Sequence, residues 1–272
     1  MTMISYAQTC EDVLLNRVFA GRADGFYLDV GANDPVLNSV TKHFSNLGWR
    51  GINIEPEAET CRRVAADRPR DINLNVGISD RAGTLTFYDA TASQGWSTFS
   101  RAQAEWHALR GIKFVETLVP VTTLARVCAE HVDRTIDFLK IDAESHEREV
   151  ILGADWSAWR PRVVLVEATD VDGWEPTLLA GDYLFAAFDG LNRYYVRAED
   201  RGLLPAFAAP VNSLDDYVPF AHHLELEALR ASYREYDDLG PLVLDVARRL
   251  KRMAGRHPRL AAAVRRFARK VG

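Results

Sequence analysis

Apolar positions along this chain keep two rhythms. The runs at 25–31 (GFYLDVG), 51–55 (GINIE), 72–76, 136–142 (IDFLKID) and 163–167 are nearly continuous in apolar residues and close on small, acidic or amide side chains. Runs of this length predict buried strands, covered on both faces. Between them the spacing turns helical. Val13, Leu14, Val18 and Phe19 share one face of a helix expected at about 9–20, ended near Gly21. Further helices are expected at about 38–47, 58–67, 122–131 and 145–152, and further strands at 84–88, 183–188 and 193–196. The segment 89–111 lacks periodicity and is rich in Ser, Thr, Ala and Gln, so it reads as an irregular loop with some helix. Strand and helix in alternation predict right-handed βαβ units. The expected architecture is therefore a doubly wound α/β fold with a mostly parallel sheet. Pro205, Pro210 and Pro219, with Asn212-Ser213, mark the connection into a helical C-terminal region. The predicted division is a domain over 1–220 and a helical, basic extension over 221–272.

Composition narrows the class. Of 272 residues, 47% are hydrophobic and 26% charged, which excludes disorder for the bulk of the chain. Three scattered cysteines, Cys10, Cys61 and Cys128, fit neither a disulfide framework nor a zinc site and point to a reducing compartment. With no long apolar stretch and no signal-like N-terminus, a cytoplasmic location is expected. The net charge of −5 hides an asymmetry: 241–272 carries ten Lys/Arg against one acid, leaving 23 basic and 37 acidic side chains before it. An acidic body is unsuited to nucleic acid. In the basic segment Leu260, Val264, Phe267 and Val271 recur at helical spacing, with Arg265, Arg266, Arg269 and Lys270 opposite. Such a helix can lie on an anionic membrane surface, dock on a protein partner, or pack on its own domain. Oligomeric state is left open.

In open α/β sheets ligands bind beyond the carboxyl ends of the strands. The polar residues that close strands here are Asp29-Val30-Gly31-Ala32-Asn33, Glu55-Pro56, Asn75-Val76-Gly77, Asp142-Ala143-Glu144-Ser145-His146 and Glu167. The first turn has one glycine rather than GxGxxG, and its acidic character repels pyrophosphate while suiting a cation. Glu55 can accept both hydroxyls of a ribose. Asp29 and Glu55 together describe a nucleoside with a ribose, positive charge and no phosphate. S-adenosylmethionine (SAM) meets all three conditions; an NAD-type site is the weaker alternative.

The stretches SYAQTCEDVLLNRVF, GFYLDVGANDP, GWRGINIEPEAE, NLNVGISDRAG, STFSRAQ, IDFLKIDAESHEREVILGADW and FDGLNRYYV resemble the FkbM-type SAM-dependent methyltransferases over most of 4–220. The resemblance implies a seven-stranded class I methyltransferase fold, Rossmann-like, with helical N- and C-terminal additions. It implies transfer to oxygen on sugars, glycans or other secondary metabolites, so a small-molecule or glycan acceptor is expected. It also implies cofactor contacts from Asp29, Gly31, Ala32, Asn33 and Glu55, to which strand ends add Pro56, Gly77 and Asp142. Ser145 stands where the family commonly has glycine, and Ala143 replaces a β-branched residue. That altered turn leaves a second function in view, a SAM-binding regulator without turnover.

Methyl transfer to a hydroxyl needs an acceptor for the hydroxyl proton or a metal to acidify it. His146 is the expected general base, oriented by Asp142 or Glu144, with a carboxylate acting directly as the other reading. Mg²⁺ is not expected, although Asp142, Glu144 and Glu167 have the chemistry to hold it. Trp96 is the first-choice acceptor contact, since sugar C–H faces stack on aromatic rings; Phe99 and Trp106 lie in the same loop. Ser97 and Thr98 receive no role from their chemistry. Asp189-Gly190-Leu191-Asn192 reads as the turn of a final hairpin, structural rather than functional.

Overall fold

The computed structural model describes residues 2–90, 95–237 and 249. The chain divides into two units, 1–219 and 220–272. In chain order the first contains β1 (Met3–Ser5), α1 (Glu11–Val18), β2 (Phe26–Val30), α2 (Lys42–Asn46), β3 (Arg50–Ile54), α3 (Ala58–Asp67), β4 (Ile72–Leu74), β5 (Gly77–Ile78) and β6 (Gly83–Asp89). It continues with α4 (Arg101–Ala108), β7 (Val115–Thr122), α5 (Leu124–His131), β8 (Phe138–Ile141), α6 (Glu147–Leu152), β9 (Val163–Glu167) and α7 (Val171–Ala180). The hairpin β10 (Tyr183–Phe188) and β11 (Asn192–Arg197), two 3₁₀ segments and β12 (Tyr217–Pro219) complete it. The second unit begins with α8 (Phe220–Asp237), whose Leu224, Leu226 and Leu229 are exposed. The amphipathic helix expected from Leu260 onward lies outside the described residues.

The central sheet has seven strands in the order β10-β11-β9-β8-β2-β3-β4. β2, β3, β4, β8 and β9 pair in parallel, while β11 runs antiparallel to both its neighbours. The expected doubly wound, mostly parallel α/β fold is the one observed. Strand alternation explains its two cores. Phe26, Leu28, Val30, Leu139, Ile141, Val164 and Val166 face one layer, built from α5, α6 and α7 through residues such as Val127, Val150 and Trp174. Tyr27, Phe138, Val163, Leu165, Tyr194 and Val196 face the other, against Leu14, Leu15, Phe44 and Trp49. Fully burying one such side chain contributes about 1.5–3 kcal/mol, so the doubly covered strands dominate the stability of the domain.

Some boundaries differ from those read in the sequence. The helix expected at 38–47 is shortened to α2, because the Asp34 carboxylate accepts from the Val36 and Leu37 N–H groups and Asn38 is left-handed (φ 58°). That local turn competes with helix at its start. Strand β4 stops at Leu74, where the Asn75 amide instead donates to Glu55 O and Pro56 O. Within 89–111, α4 is a regular helix capped by Ser100, whose Oγ accepts from Gln103 N.

Candidate functional site

The carboxyl ends of β2, β3, β8 and β9 open into a cleft of about 860 Å³. Gly31, Ala32, Asn33, Glu55, Pro56, Gly77, Asp142, Glu144 and Glu167 line it, so nearly all the predicted residues meet in one place. Glu55 is the best-held of them. One carboxylate oxygen accepts from Asn33 N at 2.8 Å and the other from Glu57 N at 2.9 Å. Burial pushes its carboxyl up to about 7, against the pull of those two N–H groups and of Lys140. Gly31 (φ 77°) lies so close to the next crossover that a Cβ would sit 1.9 Å from Asp142 O. No other residue fits there.

Asp29 departs from expectation. Its side chain is 2% exposed and does not line the cleft. Oδ2 instead accepts from Thr41 Oγ1 at 2.6 Å, and Oδ1 lies 3.3 Å from Lys140 Nζ. Asp29 shares a face with its register partners Asn53 and Lys140, and its short side chain is taken up by Thr41 and Lys140, of which the longer Lys140 reaches the cleft. The carboxylates expected to cradle a nucleoside thus divide, Glu55 at the cleft and Asp29 beneath it.

Lys140 was not legible as a site residue, although a charge inside the apolar run FLKI was its signal. Its Nζ donates to Gly31 O at 2.6 Å and lies 3.3 Å from both Asp29 and Asp142. Burial works against the charge, yet the Asp142 and Asp29 carboxylates hold the ammonium well above the ordinary lysine value.

Beside it Asp142, Glu144 and Glu167 bring carboxylate oxygens within 4.8 Å of one another. That spacing suits a divalent cation as well as a shared proton. Burial and the neighbouring Asp142 and Glu167 carboxylates push Glu144 up to about 9; burial with Asp142 and Glu147 pushes Glu167 up to about 8. The turn that carries Glu144 is left-handed at both Glu144 (φ 50°) and Ser145 (φ 71°). A glycine would adopt this geometry without strain, in keeping with the glycine that the resemblance implies at Ser145. Glu147 secures the turn by accepting from Ala143 N and Ser145 N and from the Thr169 hydroxyl.

His146 is turned elsewhere. It caps α6, does not line the cleft, and places Nε2 3.3 Å from Ser79 Oγ and Nδ1 3.6 Å from Glu149 Oε2. Its ring packs on Phe99 at 5.2 Å, and burial lowers its basicity, against the pull of Glu149 and Asp80.

Another wall of the cleft comes from 95–107. Trp96, 39% exposed, lines the cleft and meets His107 edge-on at 4.3 Å; His107 and Gln103 line it too. Trp106 does not; its ring is covered by the Arg110 guanidinium at 3.3 Å. Thr98 gains a role the sequence did not suggest: it is fully buried, and Oγ1 donates to Glu144 O at 2.5 Å, tying this wall to the acidic turn. The hairpin turn also reaches the cleft. Asp189 Oδ1 accepts from Leu191 N and Asn192 N as a turn should, but Leu191 and Asn192 line the cleft with Gln8 and Glu11. Asn192 donates to Glu11 Oε1 at 3.0 Å.

Six strands in one direction, one reversed beside the edge strand, and a rim carboxylate at the second strand define the class I methyltransferase fold. Residues 29–197 match the family model described as the methyltransferase FkbM domain, and the chain belongs to that family. It is 30% identical over 176 residues to the 31-O-demethyl-FK506 methyltransferase FkbM of Streptomyces tacrolimicus, a match covering 53% of this chain and 65% of that protein. Among solved structures, a TehB-like SAM-dependent methyltransferase from Corynebacterium glutamicum is similar with a TM-score of 0.36 at 11% identity, covering 69% of this chain and 87% of that one. An O-methyltransferase from Bacillus cereus, solved with S-adenosylhomocysteine (SAH), has a TM-score of 0.35 at 11% identity, covering 69% and 80%.

Proposed function

We propose that this protein is a SAM-dependent O-methyltransferase that methylates a hydroxyl of a sugar, glycan or related secondary metabolite. The observation that carries the reading is Glu55, a rim carboxylate with both oxygens pinned by backbone N–H groups and lone pairs left for ribose hydroxyls. The Gly31-Ala32-Asn33 turn offers close backbone approach beside it, and the acidic strand ends suit a sulfonium rather than a pyrophosphate. Oxygen as the acceptor atom is supported by the cleft's carboxylates and by the relative's name.

In the reaction so read, the acceptor oxygen attacks the methyl carbon along the line of the carbon–sulfur bond. That bond's electron pair stays on sulfur, which becomes a neutral thioether. The hydroxyl proton passes to a carboxylate. Glu144 takes this part here, in its ionised form, in place of His146, because it lines the cleft and His146 does not; with its carboxyl raised to about 9, transfer is expected to rise with pH towards that value. Most of the acceleration is then positional, from holding oxygen, methyl and sulfur in line. Trp96 supplies a flat apolar face for the acceptor, and Gln8, Glu11 and Asn192 supply polar groups in the same cleft.

Calorimetry of the purified protein with SAM, SAH and NAD, followed by a labelled-methyl assay over hydroxylated acceptors, tests the reading. Binding of SAM and SAH with transfer to at least one acceptor is expected. Binding without transfer across a broad panel would favour a regulator, and NAD binding in preference to SAM would overturn the cofactor assignment.

A further inference from the structure

Lys140 is a cation set in a strand whose neighbours Phe138, Leu139 and Ile141 are fully buried or nearly so. Burying an ammonium is costly unless partners compensate. Its partners are the Gly31 carbonyl and the Asp29 and Asp142 carboxylates, and it lines the cleft at the same rim as Glu144 and Glu167. A strut between two turns could be made by an uncharged donor. The charge itself calls for an explanation.

Methyl transfer supplies one. The sulfonium loses its positive charge as the carbon–sulfur electron pair settles on sulfur, the carbon–oxygen bond forms and the hydroxyl proton leaves to a carboxylate. An acidic wall holds the charged reactant more tightly than the neutral thioether, and binding that favours the ground state slows the step. A fixed cation among those carboxylates offsets that preference.

We infer that Lys140 is a charge-balancing residue of the methyl-transfer centre: held by Gly31, Asp29 and Asp142, its ammonium limits how strongly the acidic cleft prefers charged SAM over neutral SAH. The inference rests on the SAM reading above and makes Lys140 a positioning and electrostatic residue rather than a proton carrier.

The test uses the full-length protein as wild type, Lys140→Met, Asp142→Asn and the double variant. Affinities for SAM and SAH and the single-turnover transfer rate are measured for each. Lys140→Met shifts the affinity ratio towards SAM by about tenfold or more, as removal of one charge within about 10 Å does at an effective dielectric of about 20, and slows transfer. Asp142→Asn shifts the ratio the other way. The double variant returns it to within about threefold of wild type, because neighbouring charges couple. A merely structural lysine would weaken both ligands equally, and an unchanged ratio in Lys140→Met overturns the inference. If that variant does not fold, Asp142→Asn decides alone: a ratio unchanged or moved towards SAM overturns it. Wild-type protein that binds neither ligand overturns the cofactor reading as well, an outcome distinct from a constant ratio.

Discussion

Glu55 makes a pH prediction with a definite sign. Its carboxyl is raised to about 7 by burial, so the protonated form takes over as pH falls through that value, and a protonated carboxyl loses acceptor capacity for ribose hydroxyls. SAH affinity is therefore expected to be full above about 7 and to decline below it, by roughly tenfold or more. Glu55→Gln flattens that profile at the lower affinity; a wild-type profile that is flat from weakly acidic to alkaline pH would refute it. A second residue-scale prediction separates two neighbours. Glu144→Gln lowers turnover by about 10²-fold or more with SAH affinity kept, whereas His146→Ala leaves turnover within a few-fold. Loss of activity in His146→Ala alone would return the base to that residue. Which residues terminate strands was readable from composition, and those residues do converge. The direction in which each side chain points was not. Asp29 sits one position from cleft-lining Val30 and His146 two from cleft-lining Glu144, yet hydrogen bonding below the rim and a left-handed turn send them elsewhere.

At the scale of the elements, the crossover after β2 is the most constrained. Gly31→Ala adds about 1–3 kcal/mol of backbone strain and sets a Cβ against Asp142 O. Thermal unfolding and SAH titration of that variant should show a lower Tm together with lost binding, and normal binding would mean that the turn has another arrangement. The wall at 95–107 gives a complementary prediction. Trp96→Ala raises the acceptor KM several-fold in steady-state kinetics, since Trp96 is partly exposed at the cleft and its ring is held edge-on by His107. The buried parallel strands were legible because continuous apolar runs leave few alternatives. β7 and α7 were not. β7 (VETLVPVT) is mostly exposed and carries a proline, so it shows no buried rhythm. α7 starts at a left-handed Asp170 and contains Pro176, two features that argue against a helix locally. Tertiary packing of Trp174 and Leu178 into the core overrides them.

Taken whole, the molecule gathers its cleft from distant parts of the chain: Gln8 and Glu11 near the start, the strand ends, and Leu191-Asn192 close to the end of the domain. Among the described residues no helix is long and apolar enough to cross a membrane. The doubly wound arrangement followed from the alternation of runs and helices, but the position of β11, inserted between β9 and β10, carries no local signature. That insertion bears on biosynthesis. Until the ribosome has delivered 192–197, the VVLV edge of β9 has no neighbour on that side, and Glu11 waits for Asn192. A nascent domain cut short of β11 would present a bare apolar ribbon, a template for self-association. Polypeptides ending near 190 should therefore accumulate as insoluble material, where those ending near 219 remain dispersed, a difference that centrifugation of a translation lysate would reveal.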